Sequence, residues 1–136
     1  MAAVGTVTKQ RRHDADGTIW TLSWTANGSG AVAEGGTTGK GIFSAVGYLY
    51  SVEFEPGTAA DNYDVTLLDP DGLDVLRGNG ANQENAAGNT YDTKYRSFTG
   101  VDGNYLYFNN VNLTLTISGG GDGGTGTIQF KFVRAI

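Results

Sequence analysis

Histidine occurs once in this chain, and its neighbours limit the chemistry that it could perform. His13 lies between Arg12 and Asp14, and the chain contains no cysteine. A histidine that activates a serine needs an orienting acid and a recognisable frame such as Gly-x-Ser-x-Gly, and no such motif is present. We therefore predict a surface histidine in a turn, no catalytic residue and no enzyme activity. The 14 acidic residues could form a glycosidase pair, but most of them fall in predicted turns.

The segment 69–74, Asp-Pro-Asp-Gly-Leu-Asp, places two carboxylates at alternate positions before a glycine, and a third after it, as a calcium loop does. An EF-hand also needs a glutamate at its twelfth position, and counting from Asp69 that residue is Gly80. An Asp-Gly turn is therefore the prediction, with a weak surface calcium site as the alternative. The glycine-rich run 119–124 lacks the Lys-Ser/Thr end of a phosphate-binding loop. We predict no metal and no cofactor.

Charge is distributed unevenly along the chain. The net charge is −5 and the isoelectric point is near 4.6, which argues against nucleic acid as the main partner. Residues 1–12 nevertheless contain Lys9, Arg11 and Arg12 and no acid, whereas acids dominate residues 53–92. Such polarity would suit complementary contacts between neighbouring copies, although solvated strand faces and turns would produce the same pattern.

Composition favours a protein made of short strands and turns. Glycine supplies 22 of the 136 residues, more than twice its usual share of about 7%. No segment approaches the roughly 18 consecutive apolar residues of a membrane span, and the start does not resemble a signal peptide. The expectation is a cytoplasmically made protein without a membrane partner.

Apolar residues alternate with polar ones in several segments separated by turn residues, the pattern of half-buried strands. The predicted inward-facing sets are 20/22/24, 48/50/52/54, 63/65/67, 111/113/115/117 and 128/130/132, and an amino-terminal strand is expected over residues 4–12. Residues 63–76 form the clearest hairpin, with its turn at residues 69–72. Residues 78–90 have no apolar periodicity and predict a long loop.

Seven to eight short strands without a helical period predict an all-β fold, an antiparallel β-sandwich. A jelly-roll-like arrangement is favoured, with an immunoglobulin-like sandwich as the alternative. No repeat or linker divides residues 1–136, so one domain is expected. The aromatic pairs 20/24 and 48/50 are expected in its core. Tyr91 and Tyr95, which lie next to the loop and to charged residues, are the better candidates for an interface.

The stretch 61–76, DNYDVTLLDPDGLDVL, followed by GNGAN at 78–82, resembles a pattern found in small virion proteins of tailed bacteriophages. The likeness extends to VEFEPG at 52–57 and to the glycine-rich connection between the last two predicted strands. In size, composition and expected fold, the chain is similar to the capsid cement or decoration proteins. The resemblance covers about the last two thirds of the chain, and residues 1–45 contribute little to it.

The resemblance implies a jelly-roll-like subunit on the capsid exterior that bridges neighbouring major capsid proteins, often as an oligomer, with a dimer favoured. From the charge pattern and the long loop we expect the partner contacts at Lys9, Arg11, Arg12, Tyr91, Lys94, Tyr95 and Arg96. Other phage roles, in the tail, neck or fibre, remain alternatives. A carbohydrate-binding β-sandwich is the alternative from another functional class.

Overall fold

The computed structural model describes residues 5–33, 35–36, 41–60, 62–76, 78, 80, 94–96 and 106–134, with the backbone alone at Pro56 and residues 94–96. The strands within these residues are β1 (Thr6–His13), β2 (Gly17–Thr25), β3 (Ile42–Pro56), β4 (Asp64–Leu68), β5 (Lys94–Arg96), β6 (Tyr107–Ser118) and β7 (Thr125–Val133). Every strand pairing is antiparallel, and no helix occurs in the described residues. The predicted all-β class is confirmed.

The strands are hydrogen-bonded in the order β1-β2-β7-β3-β6-β4, and β5 pairs with β3. Alternation of apolar residues explains most of this sheet, because one face of each strand contacts the core. Most of the expected inward-facing residues are buried, among them 22, 24, 52, 54, 63, 65, 67, 113, 115, 117, 128, 130 and 132. The amino-terminal strand and the turn at residues 119–124 are also present.

Strand β3 changes partners half-way along its length. Its first half pairs with β6 up to Tyr48, and its second half pairs with β7 from Tyr48 onward. Gly47 lies at the change, with a φ of 107°. A Cβ at this position would lie 2.7 Å from the carbonyl oxygen of Val133, so the crossing of β3 and β7 requires a glycine.

A bulge in β3 overturns the prediction that Tyr50 is buried. The pairing with β7 moves from Leu49 directly to Ser51, so that Tyr50 is the extra residue. Side chains of a strand alternate between the two faces of the sheet. One inserted residue shifts this alternation, so that odd-numbered residues face the core before the bulge and even-numbered residues face it after the bulge. Leu49 is therefore fully buried and Tyr50 is 41% exposed, while Tyr48 is half-buried.

Within the described ranges, the buried residues form a core cluster that joins distant parts of the sheet. Phe108 on β6 contacts Phe132 on β7 with ring centroids 6.0 Å apart, although β3 separates these strands in the hydrogen-bonding order. Phe43 on the first half of β3 also packs against Phe130 on β7, at 5.6 Å. The sheet is therefore bent at β3, and both of its parts cover the same core.

The predicted hairpin at residues 63–76 forms only in part. Asp69 begins the expected turn, in which the backbone N–H of Gly72 donates to the Asp69 carbonyl at 2.9 Å. The returning arm is an isolated bridge between Leu68 and Asp74 instead of a second strand. The carboxylate of Asp74 accepts the Leu67 N–H at 3.1 Å, which replaces a bond that a paired strand would make. Apart from Gly78 and Gly80, the predicted loop at 78–90 lies outside the described residues.

Candidate functional site

Strand β1 carries three of the predicted contact residues and lies at one end of the strand order. Apart from Val7, its side chains are exposed. A tight turn joins it to β2, in which the Asp14 carboxylate accepts the N–H groups of Asp16 and Gly17, both at 2.9 Å. These two bonds hold the pKa of Asp14 below its usual value. The turn also determines the register that places Arg11 opposite Trp20 and Lys9 opposite Leu22.

Lys9 and Arg11 lie against the indole ring of Trp20. The Lys9 Nζ is 5.9 Å and the Arg11 Cζ is 5.7 Å from the ring centroid, within the range of cation–π attraction. The Lys9 ammonium also donates to the carbonyl oxygen of Ile42, at 2.6 Å. Trp20 in turn packs on Phe43, with centroids 5.1 Å apart. The two cations are therefore held in place at the edge of the core.

Trp20 is the residue of this surface that sequence reasoning misses, because the alternating pattern places it in the core together with Trp24 and gives no sign of its exposed part. Trp24 is 1% exposed, whereas Trp20 is only partly buried beneath the two cations. A two-residue turn at 15–16 would have predicted the pairing of Arg11 with Trp20, since residues equally distant from such a turn are paired. The signal was available in the Asp14 to Gly17 segment.

Arg12 and His13, at the end of β1, do not contact Trp20 as Lys9 and Arg11 do. Arg12 belongs to the opposite face of the sheet, because neighbouring side chains alternate along a strand. The His13 Nδ1 lies 3.0 Å from the Thr18 hydroxyl, its neighbour across the hairpin. The Asp14 carboxylate is engaged by the two backbone N–H groups of its own turn. The expected turn-flanking, exposed position of His13 is confirmed.

The other predicted contact residues lie at a distance from β1. Lys94, Tyr95 and Arg96 form β5, which pairs with β3. Four strand spacings separate β5 from β1, a distance of about 19 Å. The paired residues nevertheless form continuous rows across the sheet from β1 to β5. Arg11 and Arg96 lie at the two ends of one such row, and Lys9 and Lys94 lie at the two ends of another. Tyr91 lies outside the described residues.

A shallow groove of about 290 Å³ lies on the outer face of the sheet, over β1, β2 and β7. Six of its ten lining residues carry a hydroxyl group, and Glu55 adds one carboxylate. Within it, the hydroxyl oxygens of Ser23 and Thr127 lie 3.2 Å apart. The other hydroxyl-bearing residues of the wall are Thr6, Thr8, Thr25 and Thr125. This groove can donate and accept hydrogen bonds over a flat area.

A second groove, of about 320 Å³, lies between the turn at residues 69–72 and the start of β6. Leu73 and Tyr107 line it and are 65% and 57% exposed, respectively. The Tyr107 ring also contacts Tyr48, with centroids 4.9 Å apart. The groove is therefore a mixed aromatic and aliphatic surface next to the acidic turn.

The carboxylates of that turn bind the protein's own backbone. Asp74 accepts N–H groups from Leu67, Leu76 and Gly78, at 3.0 to 3.1 Å. Asp69 accepts the N–H groups of Asp71 and Leu73 through one oxygen. In the described part of the chain, no group of three or more acidic, histidine or cysteine side chains could hold a metal ion. The geometry therefore supports the predicted Asp-Gly turn.

Comparison with known proteins finds no matching protein family, no matching curated protein and no matching solved structure. Among the described residues, no helix has the length and apolarity needed to cross a bilayer.

Proposed function

We propose that the chain is a structural virion protein, a cement or decoration protein that binds the outer surface of a tailed-phage capsid. In this proposal the bent sheet is a jelly-roll-like β-sandwich of seven to eight strands. The partner is the major capsid protein, and the chain acts as a homo-oligomer, with a dimer favoured. It is made in the host cytoplasm, performs no catalysis, and uses neither nucleic acid nor a membrane as a partner.

The observation that carries the proposal is the basic surface at the edge of the sheet, which Lys9 and Arg11 form over Trp20. An isolated exposed lysine or arginine loses side-chain entropy when it binds, which weakens its contribution. Lys9 and Arg11 have already lost part of that freedom, because Trp20 and the Ile42 carbonyl hold them. A preorganised pair of cations on a chain with a net charge of −5 is suited to a selective contact with a protein partner.

The mechanism is thermodynamic linkage. A protein that binds only the assembled and expanded lattice stabilises that lattice by mass action, and many copies add their individual contacts. Each copy then needs only a modest contact area, such as one strand edge, to strengthen the whole shell. The resemblance of residues 52–57, 61–76 and 78–82 to virion proteins of tailed phages supports the same role.

The decisive experiment uses empty shells assembled from the major capsid protein of the same genome. Purified chain is incubated with expanded shells and with unexpanded procapsids, and association is measured by co-sedimentation and by the melting temperature of the shell. We expect association with the expanded shell and a higher melting temperature. The absence of association with expanded shells would overturn the proposal.

Charge variants locate the contact. Arg11→Glu reverses the charge of one of the two cations held over Trp20, so we expect weaker shell binding. Lys131→Glu is the matched control, because Lys131 lies on the central strand β7. Equal loss of shell binding in both variants would indicate a nonspecific charge effect instead of a contact at β1.

The hydroxyl-lined groove favours carbohydrate binding as a second candidate function. Its hydroxyl groups and the Glu55 carboxylate could bind the hydroxyls of a saccharide. A glycan array with wild-type protein and Glu55→Gln tests this function, and Tyr91→Ala and Tyr95→Ala test the aromatic residues expected from the sequence. Glycan binding that Glu55→Gln abolishes would support it, and no glycan binding would exclude it.

A further inference from the structure

The strands at the two ends of the strand order, β1 and β4, differ in whether the backbone groups on their outer edges are hydrogen-bonded. On β4, the N–H of Val65 donates to the Gly80 carbonyl at 2.8 Å, and the Leu67 N–H donates to the Asp74 carboxylate. The Leu67 carbonyl accepts the N–H of Val75, also at 2.8 Å. The edge of β4 is thus covered by the chain itself. On β1, no strand from the described residues pairs with the outer side.

The register identifies the backbone groups at the free edge of β1. The Asp14 N–H donates to the Gly17 carbonyl at 3.0 Å, so Asp14 and Gly17 are a hydrogen-bonded pair. In an antiparallel ladder such pairs alternate with pairs that are not hydrogen-bonded to each other. Residues 8, 10 and 12 therefore bond to β2, whereas the N–H and C=O groups of Lys9, Arg11 and His13 point away from it.

The side chains at this edge determine which partner it fits. Two of the three residues with outward backbone groups are Lys9 and Arg11, whose cationic side chains lie over Trp20. Strand β1 contains no acid. Gly36 lies against Val7, since a Cβ on Gly36 would be 3.3 Å from the Val7 nitrogen, so among the described residues the stretch of β1 with no neighbour on its outer side begins after Val7. An incoming strand would meet open backbone groups and fixed positive charge from residue 9 to residue 13.

We propose that β1 is a docking edge that takes up an extended, acidic segment of the partner protein as an additional strand. Alternate residues of that segment carry carboxylates that face Lys9 and Arg11, because directly opposite residues lie on the same face of a sheet. Its backbone bonds to Lys9, Arg11 and His13, as in other cases of strand addition. This inference rests on the proposed function, in which the segment belongs to the capsid shell.

The competing explanation is protective. Lysine and arginine on an edge strand can prevent unwanted pairing between copies, and such an edge would bind no partner. The two explanations differ in their consequences, because a protective edge leaves the N–H groups of residues 9, 11 and 13 open to solvent under all conditions.

The first test uses the full chain and a ten-residue peptide of alternating threonine and glutamate, with threonine–lysine and threonine–glutamine peptides as controls. Amide hydrogen exchange is followed residue by residue by NMR. We expect the acidic peptide alone to slow exchange at Lys9, Arg11 and His13, with little change at residues 8, 10 and 12, which β2 already protects. Unchanged exchange at all three outward amides would overturn the proposal.

The second test separates backbone pairing from charge. Arg11→Gln removes the charge and Arg11→Pro also removes the outward N–H, which the β1–β2 ladder does not use. We expect Arg11→Gln to weaken peptide binding about fivefold and Arg11→Pro to weaken it about a further tenfold. His13→Gln and His13→Pro form a second pair if Arg11→Pro does not fold. Equal binding of the proline and glutamine variants would overturn strand addition.

Shell binding distinguishes this inference from the proposed function. If wild-type protein and Arg11→Pro bind expanded shells equally, the shell contact lies elsewhere and the docking edge is wrong, whereas the cement role stands. If the wild-type protein binds no shell but the acidic peptide protects the outward amides, the cement role is wrong and the docking edge stands for another acidic partner.

Discussion

The rings of Trp24 and Tyr63 lie against each other in the core, with centroids 5.4 Å apart. Both side chains are almost completely buried. The indole Nε1 of Trp24 and the hydroxyl of Tyr63 have no hydrogen-bond partner among the described residues. Two polar atoms therefore lie in the buried core, and each carries a desolvation cost.

Replacement of Tyr63 by phenylalanine should stabilise the protein. Tyr63→Phe keeps the ring contact with Trp24 and removes the buried hydroxyl, so the free energy of unfolding should rise by about 1 kcal/mol. Urea denaturation measures this change. Tyr107→Phe is the control, because Tyr107 is 57% exposed and its hydroxyl loses little hydration on folding. A loss of stability in Tyr63→Phe would show that the hydroxyl has a partner.

The same residue should make stability depend on alkaline pH. Burial raises the pKa of Tyr63 from 10 to about 12. Between these values the unfolded chain has lost the Tyr63 proton and the folded chain has kept it, so the free energy of unfolding falls as pH rises. Urea denaturation of wild type and Tyr63→Phe from pH 10 to pH 12 should show a steeper fall for wild type. Parallel curves would contradict the raised pKa.

The bend in β3 should make Gly47 sensitive to substitution. Gly47→Ala adds a Cβ 2.7 Å from the Val133 carbonyl oxygen at a φ of 107°. We expect a loss of about 3 kcal/mol in the free energy of unfolding. Gly72→Ala is the matched control, since Gly72 has a φ of 83° and open space around it. Its loss should be about 1 kcal/mol, from backbone strain alone.

The carboxylates of the acidic segment 69–74 should contribute unequally to the stability of the protein. Asp74→Ala leaves the N–H groups of Leu67, Leu76 and Gly78 without their acceptor and should cost about 2 kcal/mol. Asp71→Ala removes an exposed side chain and should change stability by less than about 0.5 kcal/mol. Thermal denaturation of both variants checks this difference. Similar melting temperatures for the two variants would contradict the role given to Asp74.

The cations over Trp20 should contribute unequally to stability. Arg11→Ala removes the guanidinium that lies 5.7 Å from the Trp20 centroid and should cost about 1 kcal/mol. Arg12→Ala changes a neighbouring residue on the opposite face and should cost less than about 0.5 kcal/mol. Urea denaturation followed by tryptophan fluorescence measures both variants. Equal costs would mean that the contact with Trp20 contributes nothing.

Much of the fold follows from local patterns. The alternation in Trp20 to Trp24 and in Ile128 to Phe132 predicts the correct inward faces, because neighbouring side chains of a strand point to opposite sides. The position of the Asp69 turn follows from residue types whose side chains and backbones favour turns. The tightly spaced cations of β1 were also recognisable as an exposed set.

The errors arise where a distant strand changes a local pattern. The bulge at Tyr50 exists because β3 must leave β6 and join β7, and no neighbouring residue encodes that exchange of partners. The second arm of the hairpin is reduced to an isolated bridge, and the Asp74 carboxylate accepts the Leu67 N–H that a paired strand would otherwise bond. Trp20 faces the core as predicted, but it is only partly buried, because its outer cover comes from the side chains of Lys9 and Arg11 on another strand.

The sequence by itself determined that this chain is all-β, where most strands and turns lie, and which residues of β1 carry positive charge, since these depend on neighbours along the chain. Only the tertiary structure decided that β1 ends the strand order while β4 is covered by its own chain. It also decided that Lys9 and Arg11 lie on Trp20. The physical reason is that strand order and register depend on hydrogen bonds and packing between residues far apart in sequence, which alternation alone does not specify.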